Sequence, residues 1–303
     1  MRILLQFPEG LKKDALAKAL ELENEGHEVF LSSSACYGAC DLPLEEANSL
    51  RIDKLIHFGH AQFIRRELPF EVEYVEFHIK VDVGKLSGAL PSLMGKKKIA
   101  LVTTIQHVPQ LGEMKEFLEG HGKEVLIGTG KLACYPGQVL GCDSGAALSV
   151  ASGADAILYV GDGKFHPTGI RSELPVFALN PYSGECVQLN LEIEKIGKRR
   201  RGAMLRALEC ERFAILLSTK PGQFALNLAQ EAKRKLEGEG LTAQILVSNE
   251  FNPLSIANFR EFECIINTAC VRLAEDAEMF GGPILNASDL DEFLELRRAT
   301  NKD

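Results

Sequence analysis

Three times along this chain, at a spacing of roughly 100 residues, an apolar run gives way to a turn, a helix-period segment ending at glycine, and a second apolar run. The opening runs are residues 3–7 (ILLQF), 98–103 (KIALVT) and 213–218 (FAILLS). The periodic segments that follow cover residues 12–25, 111–119 and 224–237. Each stops at Gly26, at Gly120, or at Gly238 or Gly240, as a left-handed C-terminal cap requires. In the first helix Leu16, Ala19, Leu20 and Leu22 are expected on the apolar side. Second runs follow at residues 27–31, 124–127 and 244–247, and third runs at 54–58, 156–160 and 264–267.

Strands that are apolar on both faces and joined through helices form parallel sheets covered on both sides. The expected fold is therefore α/β. It has three similar domains at residues 1–92, 93–187 and 188–303, each a small parallel sheet flanked by helices. Residues 87–98, with Gly, Pro and three lysines, read as the first linker. Residues 189–208 read as a helix whose basic run, 198–201, is a solvated face leading into the third domain.

Composition suits a globular chain, with 46% hydrophobic and 25% charged residues. A net charge of −8 argues against the phosphate-neutralising surface of a general nucleic-acid binder, so no direct nucleic-acid partner is expected. No apolar stretch approaches the ~18 residues of a membrane span. The opening residues pass straight into a strand without a signal-peptide pattern. The expectation is a cytoplasmic protein in which the eight cysteines stay reduced.

Ligands of open parallel sheets bind beyond the C-terminal strand ends, so the residues there carry the chemistry. After the second strand of the first domain comes SSSACYGACD, residues 32–41, and the second domain offers GTGKLACYPGQVLGCD, residues 128–143. Both contain Ala-Cys-Tyr and end in Cys-Asp after small residues, at Cys40 and Cys142. In the third domain that loop lacks cysteine, and Cys270 instead follows the third strand. Three thiols at strand ends point to one central [4Fe–4S] cluster, beside which small residues let backbone N–H groups reach the sulfides. Three protein ligands leave one iron open, which marks catalysis rather than simple electron transfer.

Cys264 reads as core, and Cys186 and Cys210 as incidental. Cys36 and Cys134 rank below the three ligands. The Cys36–Cys40 spacing lacks the third cysteine of a three-cysteine radical loop and the second pair of a zinc knuckle. His57 and His60 flank the third strand in HFGHA, Gln6 ends the first strand, and Gln106 follows the strand at 98–103. Gly161, Asp162 and His166 stand in the matching position of the second domain. All seven are expected around the same crevice.

Six segments, ILLQFPEGL, ACYGACD, HFGHA, GQVLGCD, YVGDGKFHP and NTACVR, span all three domains. In combination they resemble the 2-(3-amino-3-carboxypropyl)histidine synthases, which begin diphthamide biosynthesis, over essentially the full length. The resemblance is to the archaeal homodimeric type. It implies three α/β domains around a [4Fe–4S] cluster on Cys40, Cys142 and Cys270. It also implies a transferase with S-adenosylmethionine as co-substrate and a radical mechanism outside the usual pattern. The reduced cluster passes one electron to the sulfonium, the bond from sulfur to the γ-carbon breaks, and methylthioadenosine leaves. The 3-amino-3-carboxypropyl group then adds to carbon 2 of a histidine in translation elongation factor 2. A reductase or other electron donor is implied as a further partner, and a membrane is not. Gln6, His57, His60, Gln106, Gly161, Asp162 and His166 would then line the adenosylmethionine or substrate pocket.

Three alternatives stand beside this reading, one of them a zinc-stabilised nucleotide-binding module, for which the cysteine spacing is poor. A quinolinate synthase-like enzyme also uses three α/β domains and three cysteines, but should carry a clearer anion-binding set. A non-enzymatic iron–sulfur sensor or electron carrier should use four protein ligands.

Overall fold

The computed structural model describes residues 1–65 and 67–300. Its first sheet is built from β1 (Arg2–Gln6), α1 (Ala15–Asn24), β2 (Glu28–Leu31), α2 (Leu44–Leu50), β3 (Lys54–Phe58) and β4 (Glu71–Val75). The strands lie in the order β2-β1-β3-β4, every pair parallel. Successive residues of β1 point to opposite faces, and both faces are covered. Leu5 packs with Ala15, Ala19 and Leu22 of α1, and Leu4 packs with Ala47 of α2. Full burial of each such leucine contributes roughly 1.5–3 kcal/mol.

The second sheet comprises β5 (Lys98–Thr103), α3 (Leu111–Gly120), β6 (Glu124–Leu126), α4 (Gly145–Leu148), β7 (Ala156–Val160), β8 (Val176–Leu179) and β9 (Cys186–Gln188). Its order is β6-β5-β7-β8-β9, parallel except for the antiparallel β8–β9 pair. After α5 (Asn190–Ala207) the third sheet follows: β10 (Arg212–Ser218), α6 (Leu226–Gly238), β11 (Thr242–Ser248), α7 (Pro253–Ile256), β12 (Cys264–Asn267), β13 (Ile284–Asn286) and α8 (Leu290–Thr300). Its order is β11-β10-β12-β13, all parallel. The architecture is thus α/β, with three small, mainly parallel sheets flanked by helices. Among the described residues no helix is long and apolar enough to cross a membrane.

The chain packs as two compact units, Met1–Ile193 with the first two sheets and Glu194–Asp303 with the third. Strand β9 runs across position 187. Residues 87–98 are no free linker: Leu86, Ala89 and Leu93 are buried in the core of the second sheet. Their spacing, three and then four residues apart, presents one apolar stripe, which the Gly, Pro and Lys content of the segment disguises. The inward face of α1 also differs from expectation. Ala15, Ala19 and Leu22 are buried, whereas Leu16 and Leu20 are 63% and 50% exposed. A stripe at positions i, i+4 and i+7 starting from Ala15 leaves both leucines one residue off the core.

One polar device sets the register of all three sheets. Asp53, just before β3, accepts the Arg2 N–H of β1 at 2.7 Å. Asp155, just before β7, accepts the N–H groups of Lys97 and Lys98 at 2.7 and 2.8 Å. Glu263, just before β12, accepts those of Glu211 and Arg212 at 2.8 and 3.2 Å. In each case the acid's own N–H answers to the partner strand, at the carbonyls of Arg2, Lys98 and Arg212. In the second unit Arg297 of α8 is buried and donates to the Leu208 and Cys210 carbonyls and to Glu211.

Two predictions follow from these contacts. The N–H groups of Lys98 and Lys97 hold the Asp155 carboxyl below its usual range, and the Glu211 N–H does the same for Glu263. A folded-state pKa below the unfolded one gives stability that is present above the ordinary carboxylate range. That stability is lost as the pH falls through the folded value. Thermal unfolding followed from neutral pH down to about pH 3 should show a lower midpoint at neutrality and a shallower acid limb in Asp155→Asn. An acid limb unchanged from the native chain would refute this role. Arg297→Met strands two carbonyl acceptors in a buried place and should cost about 2–3 kcal/mol in urea unfolding, with an unchanged m-value.

Candidate functional site

Cys40 and Cys142 stand at the same position of two similar turns. In Gly38-Ala39-Cys40-Asp41 the Asp41 N–H donates to the Gly38 carbonyl at 2.9 Å. In Leu140-Gly141-Cys142-Asp143 the Asp143 N–H donates to the Leu140 carbonyl at 3.2 Å, and the Leu140 N–H donates back to Asp143 at 2.9 Å. Each thiol is the third residue of a turn closed by the aspartate after it. Cys142 is exposed and Cys40 half-buried.

The side chain of Asp143 folds the loop that contains the turn. Its Oδ2 accepts from the N–H groups of Leu132 and Ala133 at 2.6 and 3.1 Å, and its Oδ1 from that of Gly145 at 2.8 Å. Burial pulls this carboxyl up, but the N–H groups of Leu132, Gly145 and Ala133 outweigh it and leave the group below the usual carboxylate range. Gly130 makes room for the arrangement, because a Cβ there would lie 2.6 Å from Asp143 Oδ2. Gly141 likewise admits the Phe165 ring, whose Cζ would lie 2.7 Å from an added Cβ. That contact brings the GDGKFHP loop against the Cys142 turn.

Within this loop Asp162 is exposed, and its Oδ1 accepts from Gly163 N–H at 2.8 Å and from Asn180 Nδ2 at 3.0 Å. The His166 ring stands edge-on to Phe165 at 5.3 Å. Gly161 is buried, and its N–H is committed to the Leu179 carbonyl at 3.0 Å. Gln106 is half-buried, and its carbonyl accepts the Ile79 N–H at 2.9 Å.

At the C-terminal end of β1, Gln6 is 1% exposed and lies beside His57 of β3 in register. Gln6 Nε2 donates to the Asp41 carbonyl at 2.6 Å, so the amide of β1 holds the Cys40 turn directly. Gln6 Oε1 lies 2.7 Å from His57 Nδ1, and His57 Nε2 lies 2.9 Å from His60 Nδ1. Burial, with help from His60, pulls the His57 pKa down to about 3, and burial also lowers His60. Cys36 completes this cluster: its sulfur and one ring nitrogen of each histidine lie within 4.8 Å of one another. Its thiol is pushed up to about 12 by burial and by Asp41.

The loops of the first two sheets touch. Cys134 Sγ donates to the Gln62 carbonyl at 2.9 Å, and Tyr135 Oη to Glu76 Oε1 at 2.8 Å. In the second unit Cys270 is half-buried at the head of the 3-10 helix Val271–Phe280. Asn267 at the end of β12 holds it there, donating to the Cys270 carbonyl at 2.8 Å and accepting from Ala269 N–H at 3.0 Å. None of the eight cysteines forms a disulfide. Sequence reasoning missed the turn-closing role of Asp41 and Asp143, although the repeated Cys-Asp pair was its signal. It also missed the meeting of Cys36 with His57 and His60, for which no local spacing exists.

Comparison with known proteins agrees with this geometry. The family model described as "Putative diphthamide synthesis protein" matches residues 7–303. The chain is 35% identical to the 2-(3-amino-3-carboxypropyl)histidine synthase of Pyrococcus horikoshii, over 98% of this chain and 86% of the relative. It is 27% identical to the synthase of Methanocaldococcus jannaschii, over 97% and 84%. With subunit 1 of the Caenorhabditis elegans synthase the identity is 29%, over 95% and 74%. Crystal structures of Dph2 from Pyrococcus horikoshii, one of them with a 4Fe-4S cluster, superpose with a TM-score of 0.88 at 33% identity, covering 97% of this chain and 86% of theirs. The fold, the strand-end cysteine turns and these matches together show that the chain belongs to the diphthamide synthesis protein family.

Proposed function

We propose that this chain is a 3-amino-3-carboxypropyl transferase acting from S-adenosylmethionine onto carbon 2 of a histidine imidazole in translation elongation factor 2. Cys40, Cys142 and Cys270 are its ligands for a [4Fe–4S] cluster. The observation that carries the reading is the pair of matching turns that present Cys40 and Cys142, in a chain whose solved relative was crystallised with such a cluster. The donors suit the group. Thiolate sulfur is the ordinary ligand of iron–sulfur clusters, and Gly38, Ala39 and Gly141 add little bulk beside the thiols. When bound, the cluster supplies one electron to the sulfonium and one iron without a protein ligand.

The overall transfer balances. The sulfur–Cγ bond of adenosylmethionine breaks, a bond from Cγ to carbon 2 forms, the proton on carbon 2 leaves, and methylthioadenosine is released. The electron consumed in opening the sulfonium is recovered when the imidazole regains aromaticity. The protein's part is placement. Phe165 against Gly141 packs the GDGKFHP loop on the Cys142 turn. In this reading Asp162, His166 and Gln106 hold the adenosyl and methionyl groups, while Gly161, whose N–H is already given to the Leu179 carbonyl, contributes only its lack of a side chain. Holding one bond of the sulfonium toward the open iron decides which bond is cleaved. Gln6, His57 and His60 serve the site from behind, since Gln6 fixes the Asp41 carbonyl and thereby the Cys40 turn. The enzyme works in the cytoplasm as a homodimer supplied by a separate electron donor.

Anaerobic reconstitution should load about four irons per chain, and Cys40→Ala, Cys142→Ala and Cys270→Ala should each lose them or release them readily to a chelator. Cys264→Ala and Cys186→Ala should retain them. With dithionite, adenosylmethionine and elongation factor 2, chromatography should show methylthioadenosine. A dominant 5′-deoxyadenosine peak would overturn the assigned bond cleavage.

Asp143→Ala removes the acceptor for three backbone N–H groups and should cost about 1–3 kcal/mol of stability in denaturant titration. Its cluster should also bleach faster in a chelator, with Asp143→Asn intermediate. A bleaching rate equal to that of the native chain would show that the loop needs no such anchor.

A further inference from the structure

We infer that Cys36, His57 and His60 form a binding site for one divalent transition metal of the zinc class, separate from the three cluster thiols. The inference begins with a backbone carbonyl. The Asp41 carbonyl can only accept, so the Gln6 amide that meets it at 2.6 Å must present its NH2 group there. Gln6 Oε1 therefore faces His57, and the His57 Nδ1 at 2.7 Å from it must carry the proton. A neutral His57 with its proton on Nδ1 has its lone pair on Nε2. That lone pair points to His60 Nδ1 at 2.9 Å. The tautomer of a buried histidine is thus fixed by a main-chain oxygen two hydrogen bonds away.

This is how metal-binding histidines are prepared: one ring nitrogen donates to an oxygen, and the other offers its lone pair to the metal. Cys36 supplies sulfur to the same spot, with the three donor atoms mutually within 4.8 Å. One sulfur and two imidazole nitrogens are a borderline-soft set that suits zinc and leaves a fourth tetrahedral position for water or an external ligand. At rest His60 Nδ1 donates its proton to the His57 Nε2 lone pair. Metal entry therefore moves the His60 proton to Nε2 and turns the rings until both lone pairs converge, with the two nitrogens opened from 2.9 Å to about 3.4 Å, as on a tetrahedral zinc. Both histidines are held neutral by burial, the protonation state that a ligand needs. The thiol is protonated at rest, so metal entry forms the metal–sulfur bond and releases the Cys36 proton to solvent.

A metal here would clamp the SSSACYGACD loop to the end of β3 through Cys36, four residues before Cys40. The site uses none of the proposed cluster ligands, so its test stands apart from theirs. The full-length chain carrying Cys40→Ser, Cys142→Ser and Cys270→Ser should bind one equivalent of Co2+ under anaerobic titration. The expected spectrum has a thiolate-to-cobalt charge-transfer band and the intense ligand-field bands of four-coordinate cobalt, both bleached by Zn2+. One proton per metal should appear in weakly buffered solution. Adding Cys36→Ser should abolish the charge-transfer band. Gln6→Met should weaken binding ~10–100-fold while leaving the shape of the spectrum intact.

No thiolate band in a triple variant with native circular dichroism, or a band that survives Cys36→Ser, would overturn the site. Should the triple variant fail to fold, elemental analysis of the cluster-loaded native-sequence chain decides. About one zinc beside the iron, lost in Cys36→Ser with iron retained, supports the site. Loss of iron instead would make Cys36 a cluster ligand and end the proposal.

Discussion

Parallel pairing of the central strands, β1 with β3, β5 with β7 and β10 with β12, is the constraint on which the rest of the molecule depends. Strands that run the same way deliver all their C-terminal ends to one edge of the sheet. Whatever follows those strands is gathered without any long-range instruction of its own. Both faces of each sheet are covered by helices, so the chemistry is confined to that edge. The opposite edge is closed by carboxylates that cap the first strand from just before the third.

At the strand-end edge, order is imposed by main-chain groups more than by side-chain packing. Asp143 collects N–H groups from both sides of the Cys142 turn, and Gln6 reaches from β1 to a carbonyl beside Cys40. A thiol on such a turn is presented by hydrogen bonds and needs little apolar burial. This explains how Cys142 can be exposed and still held in a defined loop. The same economy links the two histidines of HFGHA to the Cys40 loop, because one glutamine amide serves both.

The central strands and glycine-stopped helices were legible because period and capping are local properties of the sequence. The strands added beyond the third in each sheet were not. In β4 the alternation of glutamate with valine and tyrosine looks like a solvated segment, and β13 has only three residues. Residues 87–98 carried a linker's composition over a core stripe, and Leu16 and Leu20 sit one residue off the buried stripe of Ala15, Ala19 and Leu22, an offset that apolar spacing alone does not resolve. Within the site, residues adjacent in sequence to the cysteines were readable, as the repeated Cys-Asp pair shows. The neighbours of Cys36 were not, since Gln6, His57 and His60 reach it only through strand register and a loop that folds back over the sheet.

The carboxylate before the third strand has a meaning beyond register. Asp53, Asp155 and Glu263 occupy one topological address in three sheets, at the edge opposite the C-terminal strand ends. Holding a cofactor selects nothing there, and many other residues could start a strand. Each sheet is thus locked at its base by one carboxylate, independently of what its strand-end loops carry.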